Sequence, residues 1–214
     1  MATAPAPTAA MVFLDFKKAY DTILRRFLLK VMEAVGAGEG CLKWARTLLT
    51  STSASAAVNG FVSAPVAYME GVRQGCPLAP ILYLFIAWAL WCWLQECPAV
   101  GVQVTKDVMI HGDQYADDTH ALLKSMSAEH VASFLLFLEI FSRASGQHLN
   151  RQKTVILPVG ATPAGAMPTQ VQVLSVVSEA ASLGVIFSND STDPQRAAGG
   201  WPQSVSLSSS PCAR

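Results

Sequence analysis

The run YADDTHALL at residues 115–123 decides how this chain is read. Its adjacent acids, Asp117 and Asp118, fall in a stretch, residues 108–124, that reads as a hairpin with residues 115–118 at the tip. An acid in a turn has an ordinary reason to be there, because its side chain hydrogen-bonds the neighbouring backbone. A second acid shares the pattern: MVFLDF at residues 11–16 is a short apolar run that delivers Asp15 to the end of a buried strand. Alone, an acid in the position of Asp15 is more often a turn or capping acid than a metal ligand. The segments gain weight from their order along the chain.

Working outward, Asp21 stands where a helix cap belongs, and Ile23, Leu24, Phe27, Leu28, Val31 and Val35 follow at helical spacing until Gly36 stops them. A second helix is expected over residues 39–49, strands over 57–62 and 66–69, and a Gly- and Pro-containing loop over 71–80. That loop leads into an apolar helix ending near Glu96. After the hairpin, Val131, Phe134, Leu135, Leu138 and Phe141 mark one face of a helix closed by Gly146, with short strands expected at 154–157 and 183–187. Such a mixture predicts an α+β layer, a small sheet with helices on one face. The organisation expected is a flexible leader over residues 1–10, one domain over 11–188, and a disordered tail over 189–214.

Composition narrows the class. The 15 basic and 15 acidic residues cancel, whereas a self-sufficient nucleic-acid binder usually carries a basic surplus. The five cysteines lack zinc-site spacing and suggest a reducing compartment, and the first ten residues lack the basic start and apolar run of a secretory signal. Residues 81–94 are apolar throughout. At 1.5 Å per residue that run reaches about 21 Å, short of the roughly 30 Å of a hydrocarbon core, so a buried helix is expected rather than a membrane span. His111, His120, His130 and His148 lack ligand spacing, and Trp88, Trp91 and Trp93 fall on several helix faces, so both sets read as packing residues.

In sequence order, LDFKKAYD (14–21), GVRQGCPLAPILY (71–83), YADDTHALL (115–123) and SGQHLNRQKT (145–154) resemble the motifs lettered A to D of reverse transcriptases. ASLGVIF (181–187) resembles the short segment that follows them. The wording of the fourth motif is nearer the non-LTR retrotransposon branch than the group II intron maturases that share the core. The resemblance implies a palm-like small antiparallel sheet with helices packed on one face. It implies an RNA-directed DNA polymerase whose partners are an RNA template, a DNA primer and deoxynucleoside triphosphates, with no membrane; nuclear residence would follow from the family alone.

By the same resemblance, Asp15 and Asp117 would ligate Mg2+ or Mn2+, with Asp118 as a third carboxylate near the primer end. Two divalent ions roughly 3.5 to 4 Å apart stabilise both ends of the in-line displacement at phosphorus, and hard ions prefer carboxylate oxygens. Tyr20 would lie under the sugar and exclude a ribose 2′-oxygen, although many relatives carry Phe there. Arg73, Gln74 and Gly75 would touch the nucleotide from their loop, and Lys153 would protonate the leaving pyrophosphate. Only 14 residues precede Asp15, and beyond Lys153 the basic residues are Arg196 and Arg214. The expectation is a palm with fingers and thumb largely missing, inactive in isolation. The alternative is a catalytically silent palm remnant serving as an interaction module or without function.

Overall fold

The computed structural model describes residues 9–73, 75–159 and 168–189. The chain runs β1 (Ala9–Leu14), α1 (Arg25–Ala34), α2 (Glu39–Leu49), β2 (Ser53–Ala54), β3 (Ala57–Val58), β4 (Phe61–Val62), β5 (Val66–Ala67) and α3 (Ala79–Gln95). It continues with β6 (Val102–Thr105), β7 (Val108–Ile110), β8 (Gly112–Tyr115), β9 (Asp118–Leu123) and α4 (Ala128–Ser145). The last elements are β10 (Val155–Val159), β11 (Gln170–Val171), β12 (Leu174–Val176), β13 (Glu179–Ser182) and β14 (Val185–Ser188).

The described residues form a six-stranded sheet in the order β11-β12-β10-β1-β9-β8, antiparallel except where β10 meets β12. β1 sits between β10 and β9, so both its edges are paired. Because side chains alternate along a strand, Ala10, Val12 and Leu14 share one face and enter the core with Leu28 of α1, Ile86 and Leu90 of α3, and Phe134 and Leu138 of α4. Phe13 points the other way, towards His120 and Phe187, with ring centroids 4.6 Å and 5.4 Å distant. Helices therefore occupy one face, and the β13–β14 hairpin lies against the other.

The helix ends follow their chemistry. Pro80 falls in the first turn of α3, where its missing N–H leaves no bond unmade. Among the described residues no helix is long and apolar enough to cross a membrane. α2 occupies the expected residues, and α4 is capped by the Ser127 hydroxyl. Gly146 ends α4 at φ 82°, and a Cβ there would sit 2.0 Å from the Thr22 carbonyl oxygen, so both conformation and space require glycine.

Several expectations are corrected. Asp21 does not cap a helix, since α1 starts at Arg25 with no side-chain cap. The reason is tertiary: the Tyr20 and Ile23 carbonyls accept from the Val72 and Gly71 N–H groups, both at 2.8 Å, which holds residues 20–23 out of a helix. Residues 57–62 are not one strand, because Asn59 and Gly60 both take positive φ (50° and 82°) and turn β3 back on β4, as a two-residue hairpin loop demands. The hairpin of residues 108–124 is shorter than expected. Gly112 breaks it at φ 147°, pressed against the His120 carbonyl, and β7 pairs with β6 instead. At the end of the described chain, Leu183 and Gly184 are the turn between β13 and β14 rather than part of a strand. Most of the expected leader and the tail from residue 190 lie outside the described residues, and β1 starts at Ala9, before the boundary drawn for the leader.

Candidate active site

The sheet brings the acidic segments together from about a hundred residues apart. Leu14 pairs with Thr119 across the β1–β9 ladder, so Asp15 leaves β1 beside the point where Asp118 begins β9. Leu14 and Phe16 enter the core, which turns Asp15 to the face away from the helices. Asp118 shares that face with His120, two residues on. Asp117 occupies the two-residue turn between Tyr115 and Asp118, next to Ala116 at φ 55°.

Backbone bonds fix the end of β1. The Asp15 N–H donates to the Thr154 hydroxyl at 3.3 Å, and its carbonyl accepts from the Asn150 N–H at 2.7 Å. Asp15 is half-buried, while Asp117 and Asp118 are exposed. Among the described residues none of these three carboxylates makes a hydrogen bond or ion pair. Nor, among the described residues, do three or more His, Cys, Asp or Glu side chains gather as a group able to hold a metal ion.

Tyr20 is half-buried and stacks on Tyr83 of α3, the centroids 4.5 Å apart and the rings 21° from parallel. Burial raises the Tyr20 phenol above its ordinary value, and the negative charge of Asp117 raises it further. Tyr83 is pushed well above the usual tyrosine range by burial, then by Asp117, Tyr20 and Asp118. The two phenols and the acidic turn thus share one electrostatic neighbourhood.

The loop that follows Val72 is anchored from behind. Arg25 donates from Nε to the Gly71 carbonyl at 2.9 Å and from Nη1 to the Leu49 carbonyl at 2.6 Å and the Thr52 hydroxyl at 2.8 Å. Its guanidinium also lies 4.8 Å from the centre of the Tyr68 ring. Gly71 has φ 76°, and a Cβ on it would stand 2.4 Å from the Asp21 carbonyl oxygen. Beyond it Arg73 is exposed and reaches the Ser53 carbonyl at 3.4 Å, and Gly75 has φ 83° with open space around its Cα. Gln74 lies outside the described residues. Lys153 is exposed in the turn that clamps Asp15, its N–H donating to the Asn150 carbonyl at 3.1 Å.

Sequence reasoning missed Tyr83 and Arg25. Tyr83 closes the quoted motif of residues 71–83, so its aromatic character was there to be weighed. Arg25 gives no such signal, because its partners are backbone groups brought in by the fold. Buried Gln147 was missed too; it donates to the Ala19 carbonyl at 2.6 Å and braces the Tyr20 segment from α4's end.

Residues 3–187 match the reverse transcriptase (RNA-dependent DNA polymerase) family. Curated relatives include the transposon TX1 uncharacterized 149 kDa protein of Xenopus laevis, 27% identical over 84% of this chain and 14% of that protein. A retrovirus-related Pol polyprotein from the type-1 retrotransposable element R2 of Popillia japonica is 28% identical over 75% of this chain and 22% of its own length. The chain therefore spans well under a third of these relatives. Among solved structures, apo telomerase from Candida tropicalis, truncated from its C-terminal domain, superposes with TM-score 0.58 at 12% identity, over 85% of this chain and 34% of that one. Telomerase from the same organism, in complex with a fragment of telomeric RNA, gives TM-score 0.60 at 11% identity, over 92% and 31%. These likenesses show the fold, and the match along most of the sequence shows the family: the chain belongs to the reverse transcriptases, of the non-LTR retrotransposon type.

Proposed function

We propose that this chain carries the palm of an RNA-directed DNA polymerase, with Asp15 and Asp117 as metal ligands and Asp118 as the third carboxylate. The observation that carries the reading is the β1–β9 pairing, which sets Asp15 beside the Asp117–Asp118 turn with all three carboxylates unpaired among the described residues. That donor set suits magnesium, which is held by one or two carboxylates and completes its shell with water and substrate phosphates. Bound there, the ions would stabilise charge on the attacking primer oxygen, the phosphoryl group and the leaving pyrophosphate. Tyr20, backed by Tyr83, would bear on the sugar, and Arg73, Gln74 and Gly75 on the nucleotide. Lys153 would supply a proton to pyrophosphate. An RNA template, a DNA primer and deoxynucleoside triphosphates are the partners this reading requires.

The 214 residues alone would not sustain synthesis. With equal numbers of acidic and basic residues they lack the surplus that grips a phosphate backbone, and positioning is worth several powers of ten in rate. A second reading, a silent palm that serves as an interaction module, is favoured by the want of a three-donor metal group among the described residues. The deciding experiment fuses the chain to the remaining domains of a complete relative and measures primer extension on an RNA template with Mg2+ or Mn2+. The polymerase reading expects extension that Asp15→Asn and Asp117→Asn each abolish. A folded fusion with no extension, and no Mn2+-induced NMR broadening around Asp15 and Asp117, would establish the silent one.

A further inference from the structure

A separate recess of about 400 Å³ lies between α4 and residues 148–151, within the roughly 300–1,000 Å³ that small ligands occupy. Lys17, His148 and Arg151 line it. Among the described residues none of the three side chains has a hydrogen-bond or ion-pair partner. The carboxylate in its wall, Glu139, is engaged by Arg143 at 3.4 Å. Basic groups thus converge without a free counter-charge, in a chain whose total charge is zero. Their placement is fixed by backbone: the Lys17 N–H donates to the His148 carbonyl at 2.8 Å, and Phe16 bridges Leu149. Thr22 adds a hydroxyl to the wall, and Leu135 and Leu138 give it an apolar floor.

We propose that this recess binds phosphate oxyanions. Arg offers a planar fork matched to phosphate and Lys a point charge, and charge-assisted bonds of this type are roughly twice as strong as neutral ones. The phosphate could belong to a polynucleotide backbone or to free pyrophosphate. Either would meet the recess beside β1, because Asn150, next to Arg151, bonds the Asp15 carbonyl at 2.7 Å. The inference does not depend on the polymerase reading, since it uses none of the three aspartates.

The test uses the whole chain in EDTA, so that metal at the carboxylates cannot contribute. Pyrophosphate and, separately, a short single-stranded oligonucleotide without a terminal phosphate are titrated while backbone amide shifts are followed. Expected is saturable binding of at least one probe, with shifts centred on Lys17, His148 and Arg151, weakened about tenfold or more in the Lys17→Gln, Arg151→Gln double variant. Arg46→Gln, which removes an arginine paired with Glu33 away from the recess, should change it less than twofold. Oligonucleotide binding that displaces pyrophosphate assigns the site to a backbone; binding of pyrophosphate alone assigns it to the free anion. No saturable binding of either probe, or equal weakening by Arg46→Gln, overturns the proposal.

Discussion

The rings of Tyr20 and Tyr83 stack at 4.5 Å, joining the segment after Asp15 to α3 within electrostatic reach of the acidic turn. The pair is asymmetric: Tyr83 is 2% exposed, whereas Tyr20 keeps an open side. Tyr83→Ala should therefore cost about 3–5 kcal/mol, as removal of a large buried ring does, and Tyr20→Ala clearly less. Urea denaturation of both variants measures the difference. Equal losses would mean that Tyr20 is a core residue and not a ring presented to a ligand.

The same pair predicts an alkaline limit. Both phenols have folded-state values above the ordinary 10.0, so above about pH 10 the unfolded chain releases protons that the folded chain retains. Stability is then full below pH 10 and falls as pH rises further. Tyr83→Phe should flatten that fall, because it removes the more strongly shifted group. A denaturation midpoint with the same slope in wild type and Tyr83→Phe between pH 9.5 and 11, values chosen to bracket about 10, would sink the argument.

Strain sits beside the acids. Ala116 holds φ 55° in the two-residue turn, where an L-residue pays roughly 1–2 kcal/mol. Ala116→Gly should leave stability unchanged or raise it by up to about 1 kcal/mol, whereas Ala116→Val, β-branched at a left-handed position, should lower it by more than that. Thermal melts should place the Gly variant level with or above the unaltered chain and the Val variant below it if the turn has this geometry.

Arg25 supports a prediction about the loop. Arg25→Lys keeps the charge but loses the fork, so the Leu49 and Gly71 carbonyls and the Thr52 hydroxyl lose a shared donor. Amide exchange at Gly71 and Val72 should accelerate at least about tenfold while β1 and β9 stay protected. Unchanged exchange at those two amides would show that the loop holds itself.

These cases show which features could be read from sequence. β1, α2, α3, α4 and the acidic hairpin were legible because apolar periodicity and capping residues are local signals. The start of α1 was not, since what holds residues 20–23 out of a helix is bonding to residues 71–72. The Asn59–Gly60 turn was legible in principle, as that dipeptide favours two positive φ values. Near the site, the resemblance put the strand ending at Asp15 beside the hairpin that carries Asp117 and Asp118, and the β1–β9 register has that strand adjacency. Arg25 and Tyr83 act through long-range contacts, which no spacing rule encodes.

The last prediction concerns the hairpin on the far face. His120 is 4% exposed, hydrogen-bonds the Asp113 carboxylate through Nδ1, and has the Ser182 hydroxyl 2.9 Å from Nε2. Its ring also packs against Phe13 and Phe187. It is thus the structural histidine that the scattered spacing suggested, and it latches β13–β14 to the strand that begins at Asp118. Removing the ring in His120→Ala should cost about 2–4 kcal/mol and expose residues 179–188 to proteolysis before the rest of the sheet. His120→Phe keeps the ring volume and leaves Asp113 and Ser182 to find water, so it should lose less stability but still loosen β13. Mass-resolved limited proteolysis reads both variants. If cleavage within residues 179–188 is no faster in His120→Ala than in the unaltered chain, the hairpin is held by Phe13 and Phe187 alone and the latch has no role.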